Sequence, residues 1–251
     1  MPSDLPPPGL CFDAVTKRFG AVTALDDVTF DAPLGAVTAL VGPNGSGKTT
    51  SMRIALGLVR PTSGRALVGG QRYGELVTPL RRIGALLDAD AVDPGLTGRT
   101  HLRWLAASNG LPVDRADELL DRVGLGPAAH RRVGGWSLGM QQRLGIAAAL
   151  LGDPPVLVLD EPMNGLDPDG MVWFRRLIGE LRDDGRAVLI SSHLMRELEG
   201  LADRIVVISH GRLIADTTVA SVLSTAPGGD VRTDLEAAYL RLVTPPQETR
   251  S

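Results

Sequence analysis

Residues 42–49 read Gly42-Pro43-Asn44-Gly45-Ser46-Gly47-Lys48-Thr49, a glycine-rich loop that ends in a lysine and a threonine. A short apolar run, residues 36–41, precedes the loop as a buried strand would, and the helix-compatible residues 50–58 follow it. Glycines allow the backbone to turn so that successive N–H groups point at phosphate oxygens. The N-terminus of the following helix adds unsatisfied donors and the positive end of its dipole. This stretch therefore predicts a strand–loop–helix unit that binds phosphate.

The order of residue types in the loop, G-x-x-x-x-G-K-[ST], is the Walker A pattern. In that pattern Lys48 places a compact charge at the β- and γ-phosphates, and the Thr49 hydroxyl ligates Mg²⁺. Lys17 and Lys48 are the only lysines among 26 Lys and Arg residues, so this position uses an ammonium in a chain that otherwise uses arginine. A glycine-rich turn before an ordinary helix is the alternative. The predicted nucleotide contacts are Gly42, Pro43, Asn44, Gly45, Ser46, Gly47, Lys48, Thr49 and Thr50.

The bulk composition excludes several classes of protein. The chain has 251 residues, which is enough to bury a core as one domain or two subdomains. Its net charge of −3 gives no basic field for nucleic acid, so we expect no nucleic-acid partner. The single cysteine, Cys11, excludes an internal disulfide and fits a reducing compartment. Because no signal-peptide pattern and no apolar stretch of about 20 residues is present, we expect a cytoplasmic protein that reaches a membrane only through another protein.

The pattern of apolar residues predicts the order of the secondary structure. An early antiparallel sheet is followed by the Walker A unit, by further short strands, and then by a helical stretch from about residue 100 to 151. After it, continuous apolar strands alternate with helices, which indicates a parallel sheet covered on both faces. The predicted strands are 10–15, 22–30, 64–68, 83–87, 156–159, 187–190 and 205–208. The predicted helices of the last part are 171–181, 194–201 and, after a break at 227–229, 235–243, with a hairpin turn at 209–212.

Residues 156–161, Val156-Leu157-Val158-Leu159-Asp160-Glu161, form an apolar strand that ends in two acids, which is a Walker B pattern. Ligands of open α/β sheets bind where the strands end. Asp160 is placed to hold Mg²⁺ directly or through water, and Glu161 to orient and deprotonate the attacking water. A strand that ends in a solvated acidic turn is the alternative, and the Walker A motif upstream argues against it.

Just upstream lies Trp136-Ser137-Leu138-Gly139-Met140-Gln141-Gln142-Arg143, in which Ser137 is a good helix N-cap. Alone, this segment predicts only a capped helix. It resembles the signature motif of ATP-binding cassette (ABC) ATPases, commonly L-S-G-G-Q, at that family's usual spacing before the Walker B strand. Residues 164–167 resemble the family's D-loop, 191–193 its switch-histidine loop and 17–20 the loop whose aromatic ring stacks on adenine. Together these matches cover about residues 10–222.

The sequence departs from the commonest family pattern at two places. Leu138 and Met140 replace the first Gly and the Gln of the signature, whereas Ser137 and Gly139 remain. This form is similar to that of ATPase subunits of antibiotic, lantibiotic and multidrug exporters. In the glutamine loop, Asp88 takes the place of the usual Gln, as often in the exporter-like group. Asp88 could touch Mg²⁺ or water there, but as an anion with a shorter reach.

The resemblance implies an α/β fold with a P-loop NTPase core. That core has a mainly parallel sheet, an N-terminal antiparallel β subdomain and an inserted α-helical subdomain. The implied organisation is a single nucleotide-binding domain over residues 1–251. Residues 9–88 and 153–222 would form the ATP-binding core, 89–152 the helical subdomain with the signature motif, and 223–251 a C-terminal tail.

The resemblance also implies a mechanism and partners. The family works as head-to-tail dimers, so the partner would be a second copy of this ATPase or a paralogue. ATP with Mg²⁺ would be held by the Walker residues, with Phe19 and Val22 beside the adenine. The signature residues of the other subunit would close over the γ-phosphate; here these are Ser137, Leu138, Gly139 and Met140. His193 would hydrogen-bond the γ-phosphate and position water with Glu161, and Asp167 would line the dimer seam.

The helical subdomain would dock a short helix of a polytopic membrane permease and so place the chain on the inner face of the membrane. The leading interpretation is therefore an ATPase subunit that powers a transporter, most simply an exporter. A cassette ATPase of translation or DNA maintenance is the runner-up, although paired cassettes, a long coiled coil and a basic arm are all missing from this sequence. A nucleotide-binding regulator without turnover is a third class, against which Glu161 and His193 argue. Alone, His193 would be an ordinary surface or core histidine and Phe19 a core residue.

Overall fold

The computed structural model of the chain describes residues 8–88 and 91–224. They form a three-stranded sheet in the order β2-β1-β4 and a six-stranded sheet in the order β5-β6-β7-β3-β8-β9. The strands are β1 (Pro8–Phe19), β2 (Val22–Pro33), β3 (Ala36–Val41), β4 (Ser63–Val68), β5 (Ile83–Leu86), β6 (Val156–Leu159), β7 (Ala187–Ser192), β8 (Arg204–Ser209) and β9 (Arg212–Thr218). The helices are α1 (Lys48–Ala55), α2 (Gly98–Ser108), α3 (Arg115–Arg122), α4 (Leu138–Leu150), α5 (Pro168–Asp183), α6 (Met195–Leu198) and α7 (Val219–Ser224).

The six-stranded sheet is the mainly parallel sheet that the sequence predicts. Among its described strands, β9 alone runs antiparallel to its neighbour, β8. Successive residues of each central strand enter different apolar clusters. In β6, for example, Leu157 and Leu159 belong to one cluster and Val156 and Val158 to the other. Both faces of the sheet are therefore covered, which explains why its strands read as unbroken apolar runs.

The antiparallel sheet β2-β1-β4 covers one face of the parallel sheet. Phe12 of β1 and Phe30 of β2 are register partners, and their rings stack with centroids 4.3 Å apart. These rings share an apolar cluster with Met52 of α1 and with Leu40 and Leu189 of the parallel sheet. The predicted N-terminal antiparallel subdomain is confirmed, and its strands extend beyond the predicted ranges 10–15 and 22–30.

Helices cover the other face of the parallel sheet. Phe174 of α5 and Leu198 of α6 are fully buried in the second apolar cluster. The segment between β5 and β6 contributes α2, α3 and α4, which confirms the predicted helical stretch from about residue 100 to 151. Gly110 and Gly124 have positive φ angles where α2 and α3 end, and so divide that stretch. The exact subdomain boundaries remain predictions.

Elements after β6 differ from the sequence prediction in length. The helix expected over 194–201 is wrong in extent, because α6 covers only Met195–Leu198. Glu199 already has an extended ψ of 129°, and Gly200 has a φ of +67°, so the helix cannot continue. The hairpin turn at 209–212 is confirmed by positive φ angles at His210 and Gly211. The break at 227–229 and the helix at 235–243 lie outside the described residues.

The carboxyl ends of three parallel strands meet at one edge of the sheet. Val41, the last residue of β3, pairs with Ser192, the last residue of β7, and Leu159 of β6 pairs with Ile190 of β7. The glycine-rich loop, the two acids after β6 and the residues after β7 therefore leave the sheet side by side. In the described ranges, no helix is long and apolar enough to cross a bilayer.

Candidate functional site

The glycine-rich loop 42–49 joins β3 to α1 and requires glycine at two positions. Gly42 has a φ of +157°, and a Cβ there would lie 2.0 Å from the carbonyl oxygen of Ile208. Gly47 has a φ of +114°, and its Cβ would lie 2.7 Å from the carbonyl oxygen of Ala24. Both separations are far below van der Waals contact, so only glycine lets the loop fold so closely against its neighbours.

A cleft of about 210 Å³ opens over this loop. It is lined by Ala24, Asn44, Gly45, Gly47, Lys48, Thr49, Thr50, Asp160 and Glu161. Hollows of about 480 and 490 Å³ lie elsewhere, but no residue of the loop and neither strand-end acid lines them. Chemistry rather than size therefore identifies the smaller cleft as the candidate site, because it brings the Walker A loop and both Walker B acids together.

Lys48 lies at the floor of the loop with 6% of its surface exposed. Its Nζ donates to the carbonyl oxygens of Gly42, at 2.7 Å, and Pro43, at 3.3 Å. Burial lowers the pKa of Lys48, while the negative charges of Glu161 and Asp160 act in the opposite direction. The ammonium is therefore held on backbone dipoles within the loop, where a phosphate oxygen could replace a carbonyl as its partner.

The Asp160 carboxylate receives hydroxyl groups on both of its oxygens. Thr49 Oγ1 donates to Oδ2 at 2.7 Å, and Ser191 Oγ donates to Oδ1. Ser191 Oγ also accepts the backbone N–H of Glu161 at 2.8 Å. The predicted pair Thr49 and Asp160 thus lies in direct contact. Sequence reasoning assigned no role to Ser191, although its place at the end of the strand next to β6 was a usable signal.

Glu161 and His193 form a second contact at the same edge. His193 Nδ1 lies 2.9 Å from Glu161 Oε2, within hydrogen-bond distance. Glu161 has a φ of +47°, which is uncommon for a residue with a side chain. Its backbone turns sharply after β6 and is held by two further bonds, from its N–H to Ser191 and from Gln142 Nε2 to its carbonyl oxygen at 3.4 Å. The two predicted catalytic residues therefore face one another beside the cleft.

The signature residues lie at the N-terminus of α4 and do not line this cleft. Ser137 caps the helix by accepting the N–H of Met140 at 3.3 Å, as predicted. Leu138 is partly exposed, and Gly139 packs on the D-loop of the same chain, where a Cβ would lie 2.8 Å from the carbonyl oxygen of Gly165. The signature segment therefore lies outside the cleft that the Walker residues of the same chain line.

Gln142, one turn further along α4, was not singled out by sequence reasoning. It is 6% exposed and links the signature helix to the backbone of Glu161. Its position two residues beyond Met140 in the signature segment was the available signal.

Phe19, Val22, Asp167 and Asp88 are not among the residues that line the cleft. Phe19, at the end of β1, is 50% exposed, with Lys17 Nζ 4.6 Å from its ring centroid, and Val22 begins β2. Asp167 caps α5 by accepting the N–H of Gly170 at 2.7 Å. Asp88 is exposed shortly after β5, the strand beside β6. The ring of Phe19 is therefore half exposed, with the Lys17 ammonium over one of its faces.

Comparison with known proteins agrees with this geometry. A family profile described as ABC transporter matches residues 25–164, more than half of the chain. The matched stretch contains the glycine-rich loop, the signature segment and both strand-end acids. A solved structure titled "Structure of ATP binding subunit of ABC transporter" superposes with a TM-score of 0.82 at 27% identity, covering 94% of this chain and 99% of that one.

Curated relatives carry the same description. The chain is 42% identical over 215 residues to the uncharacterized ABC transporter ATP-binding protein YdbJ of Bacillus subtilis (strain 168), covering 84% of this chain and 70% of that protein. It is 40% identical to the lantibiotic transport ATP-binding protein SrtF of Streptococcus pyogenes, with coverages of 80% and 86%. It is 37% identical to the daunorubicin/doxorubicin resistance ATP-binding protein DrrA of Streptomyces peucetius, with coverages of 90% and 70%. The chain therefore belongs to the ABC transporter family, as an ATP-binding subunit whose hydrolysis of ATP drives transport.

Proposed function

We propose that this ATPase powers the export of an antibiotic, a lantibiotic-like peptide or a drug by a separate membrane subunit. The names of SrtF and DrrA, which refer to lantibiotic transport and daunorubicin resistance, support this class of cargo. The signature form with Leu138 and Met140, and Asp88 in the glutamine loop, are the features that the sequence shares with exporter ATPases. The permease would carry the cargo pathway, and the ATPase would sit on the cytoplasmic face of the membrane through it.

ATP would be held by the glycine-rich loop, with its phosphates on backbone N–H groups of residues 44–50 and on Lys48. The Ser46 hydroxyl is buried and has no hydrogen-bond partner in the described part of the chain, so it could donate a hydrogen bond to a phosphate oxygen. Phe19 and Val22 would contact the adenine. Because Phe19 has no polar group, stacking is the interaction that it offers.

Thr49 and Asp160 fit Mg²⁺, because a hydroxyl and a carboxylate are hard oxygen ligands. No group of three or more His, Cys, Asp or Glu side chains that could hold a metal occurs among the described residues. This agrees with a magnesium site that takes one or two protein oxygens and completes its shell with phosphates and water. When bound, the ion would neutralise charge on the β- and γ-phosphates. Asp88 could contact the ion or a water of its shell, as an anion with a shorter reach than the usual Gln.

Glu161 would act as the base. Its carboxylate would accept a proton from water as the water oxygen attacks the γ-phosphorus, and the bond from that phosphorus to the bridging oxygen would break to release ADP. His193 would donate a hydrogen bond to the γ-phosphate and keep Glu161 oriented. The 2.9 Å contact between these two side chains is the single observation that carries this assignment.

A second subunit would complete the site. Ser137, Leu138, Gly139 and Met140 lie at the start of a 13-residue helix, where unsatisfied N–H groups favour an anion. Because these residues do not line their own cleft, the γ-phosphate of a partner subunit is the ligand that they would bind. Asp167, the N-cap of α5, would lie at the seam of this head-to-tail dimer, formed with a second copy or a paralogue.

A transport assay in cells tests the proposed cargo. A sensitive host would carry the gene for this chain together with its neighbouring reading frames, and growth would be followed in daunorubicin and in a lantibiotic. We expect protection against at least one compound, and no protection from the matched Glu161→Gln variant. Equal growth with the wild type and this variant in every compound would contradict the exporter assignment but not the ATPase activity.

A further inference from the structure

The segment that follows His193 has little intrinsic stability. It consists of α6, which has four residues, and a turn in which Glu199 is extended. Isolated helices of this length are unstable in water because nucleation is costly. The last carbonyl groups of such a helix also lack partners within it. Contacts from elsewhere in the chain must therefore fix this segment, and with it the position of His193.

The first half of the segment is held locally. Ser192 Oγ accepts the N–H of Leu194 at 3.0 Å and lies 2.8 Å from Glu197 Oε2, to which it donates. The apolar side chains of Met195 and Leu198 are buried against the core. The carbonyl oxygen of Leu198 accepts the N–H groups of Leu201 and Ala202, both at 3.1 Å, but these contacts leave the carbonyl groups of Arg196, Glu197 and Glu199 without a partner.

The side chain of Arg175, in α5, donates hydrogen bonds to those carbonyl groups. Its guanidinium donates to the carbonyl oxygens of Glu197, at 2.8 Å, Arg196, at 3.4 Å, and Glu199. A planar guanidinium has five N–H donors in a fixed fork, which suits several neighbouring acceptors better than an ammonium does. Its charge also lies at the negative end of the helix dipole. No salt bridge engages Arg175 within the described ranges, so its bonds go to this backbone.

The helix that carries Arg175 is itself firmly placed. Asp167 caps its first turn through the N–H of Gly170, and Phe174, the residue before Arg175, is fully buried. Arg175 therefore ties the helix that begins after Asp167 to the segment that begins after His193.

We infer that Arg175 is a positioning residue for ATP hydrolysis, acting through His193. By fixing the end of α6 to α5, it keeps the His193 ring within hydrogen-bond distance of Glu161. It touches neither the cleft nor these two side chains, so ATP binding does not depend on it. This inference rests on the proposed role of His193 and extends it to a residue that no sequence motif marks.

The test compares Arg175→Ala with Arg176→Ala in the full chain. Arg176 is the adjacent position, but its side chain is 81% exposed and pairs only with Glu180 in the described structure. We expect R175A to lower the single-turnover rate of ATP hydrolysis on the order of 10- to 100-fold, because small misplacements of catalytic groups have effects of this size. ATP affinity should be unchanged, and R176A should match the wild type in both. A wild-type rate in folded R175A would overturn the inference.

Combining Arg175→Ala with His193→Ala distinguishes a failure of the inference from a failure of the proposed function. If Arg175 acts through His193, R175A should reduce the rate no further in an H193A background. The same fold reduction in both backgrounds would contradict the inference. If H193A loses activity and R175A does not, the inference is contradicted but the proposed function stands. Full activity of H193A would contradict the role of His193 itself.

A conservative variant and a direct structural readout complete the test. Arg175→Lys keeps the charge but loses the fork, so its rate should fall between those of the wild type and R175A, and it can be measured even if R175A does not fold. Amide hydrogen exchange over residues 193–200 should be at least roughly tenfold faster in R175A or R175K, and unchanged in R176A. Unchanged exchange in both Arg175 variants would also overturn the inference.

Discussion

Thr49 Oγ1 donates a 2.7 Å hydrogen bond to Asp160 Oδ2 and thereby joins the Walker A loop to the end of the Walker B strand across 111 positions of sequence. The second oxygen of Asp160 is bonded by Ser191, which also holds the backbone of Glu161. A chain of hydroxyl contacts therefore links the phosphate loop to the proposed base. We therefore expect a displacement of Thr49 on phosphate binding to affect Glu161 through Asp160 and Ser191.

Lys48→Ala tests the nucleotide site. Because Lys48 is the buried cation of the loop, its removal should weaken ATP binding by at least about 3 kcal/mol, roughly 100-fold, as expected for charge-assisted bonds to phosphate. Titration calorimetry measures the affinity, and Arg53→Ala, an exposed change on the same helix, serves as the control. Near-normal ATP binding by folded K48A would mean that the site is wrongly assigned.

Phe19→Ala tests the adenine contact. Loss of stacking should weaken ATP binding by about 1–3 kcal/mol. Inorganic tripolyphosphate offers the same phosphates without a base, so its binding should be equal in the variant and the wild type. Fluorescence or calorimetric titrations with both ligands would show this. An equal loss for both ligands would indicate a general disturbance of the loop, and no loss for either would place the adenine elsewhere.

Asp88→Ala tests coupling to the membrane subunit. Asp88 lies between β5 and the helical segment that we expect to dock the permease. The change should reduce the stimulation of ATPase activity by the permease in reconstituted vesicles, and should leave basal ATP affinity within about twofold of the wild type. Asp88→Asn keeps the size without the charge and shows whether the charge matters. Full stimulation of D88A would exclude the coupling role.

The sequence predicts the parts of this fold that depend on local pattern. The strand before the glycine-rich loop, the strand before Asp160 and the helical stretch before it are all recovered, because unbroken apolar runs and glycine-rich turns are local signals. An N-cap residue followed by proline, here Asp167 and Pro168, is also a local signal for a helix start. It marks the true start of α5, three residues before the predicted start at Met171.

Other features depend on contacts that no local pattern contains. The helix after His193 was predicted too long because its apolar spacing continues to Leu201, whereas Glu199 and Gly200 leave the helical region. Ser191, Gln142 and Arg175 gain their roles only once β6, α4, α5 and α6 have packed together. Their partners lie 19 to 30 positions away.

The expected response of the assembly to ATP follows from the same site. Glu161→Gln cannot accept the proton of water, so bound ATP should keep its γ-phosphate and the closed interface should persist. Sedimentation should show monomers of this variant without nucleotide or with ADP, and dimers with ATP. If Leu138 weakens the contact between the signature segment and the γ-phosphate, the dimers should form only at high protein concentration. Monomers with ATP even in the permease-bound complex would contradict the proposed dimer, though not the role of Glu161.

Single-turnover hydrolysis of radiolabelled ATP by Glu161→Gln, measured beside its ATP affinity, decides whether Glu161 is the base at this site. We expect wild-type affinity, because the amide preserves the shape of the side chain, and a rate lowered by about 10²–10⁴-fold, the usual contribution of a general base. Hydrolysis at the wild-type rate by a folded variant that binds ATP normally would contradict the role of Glu161 as the base.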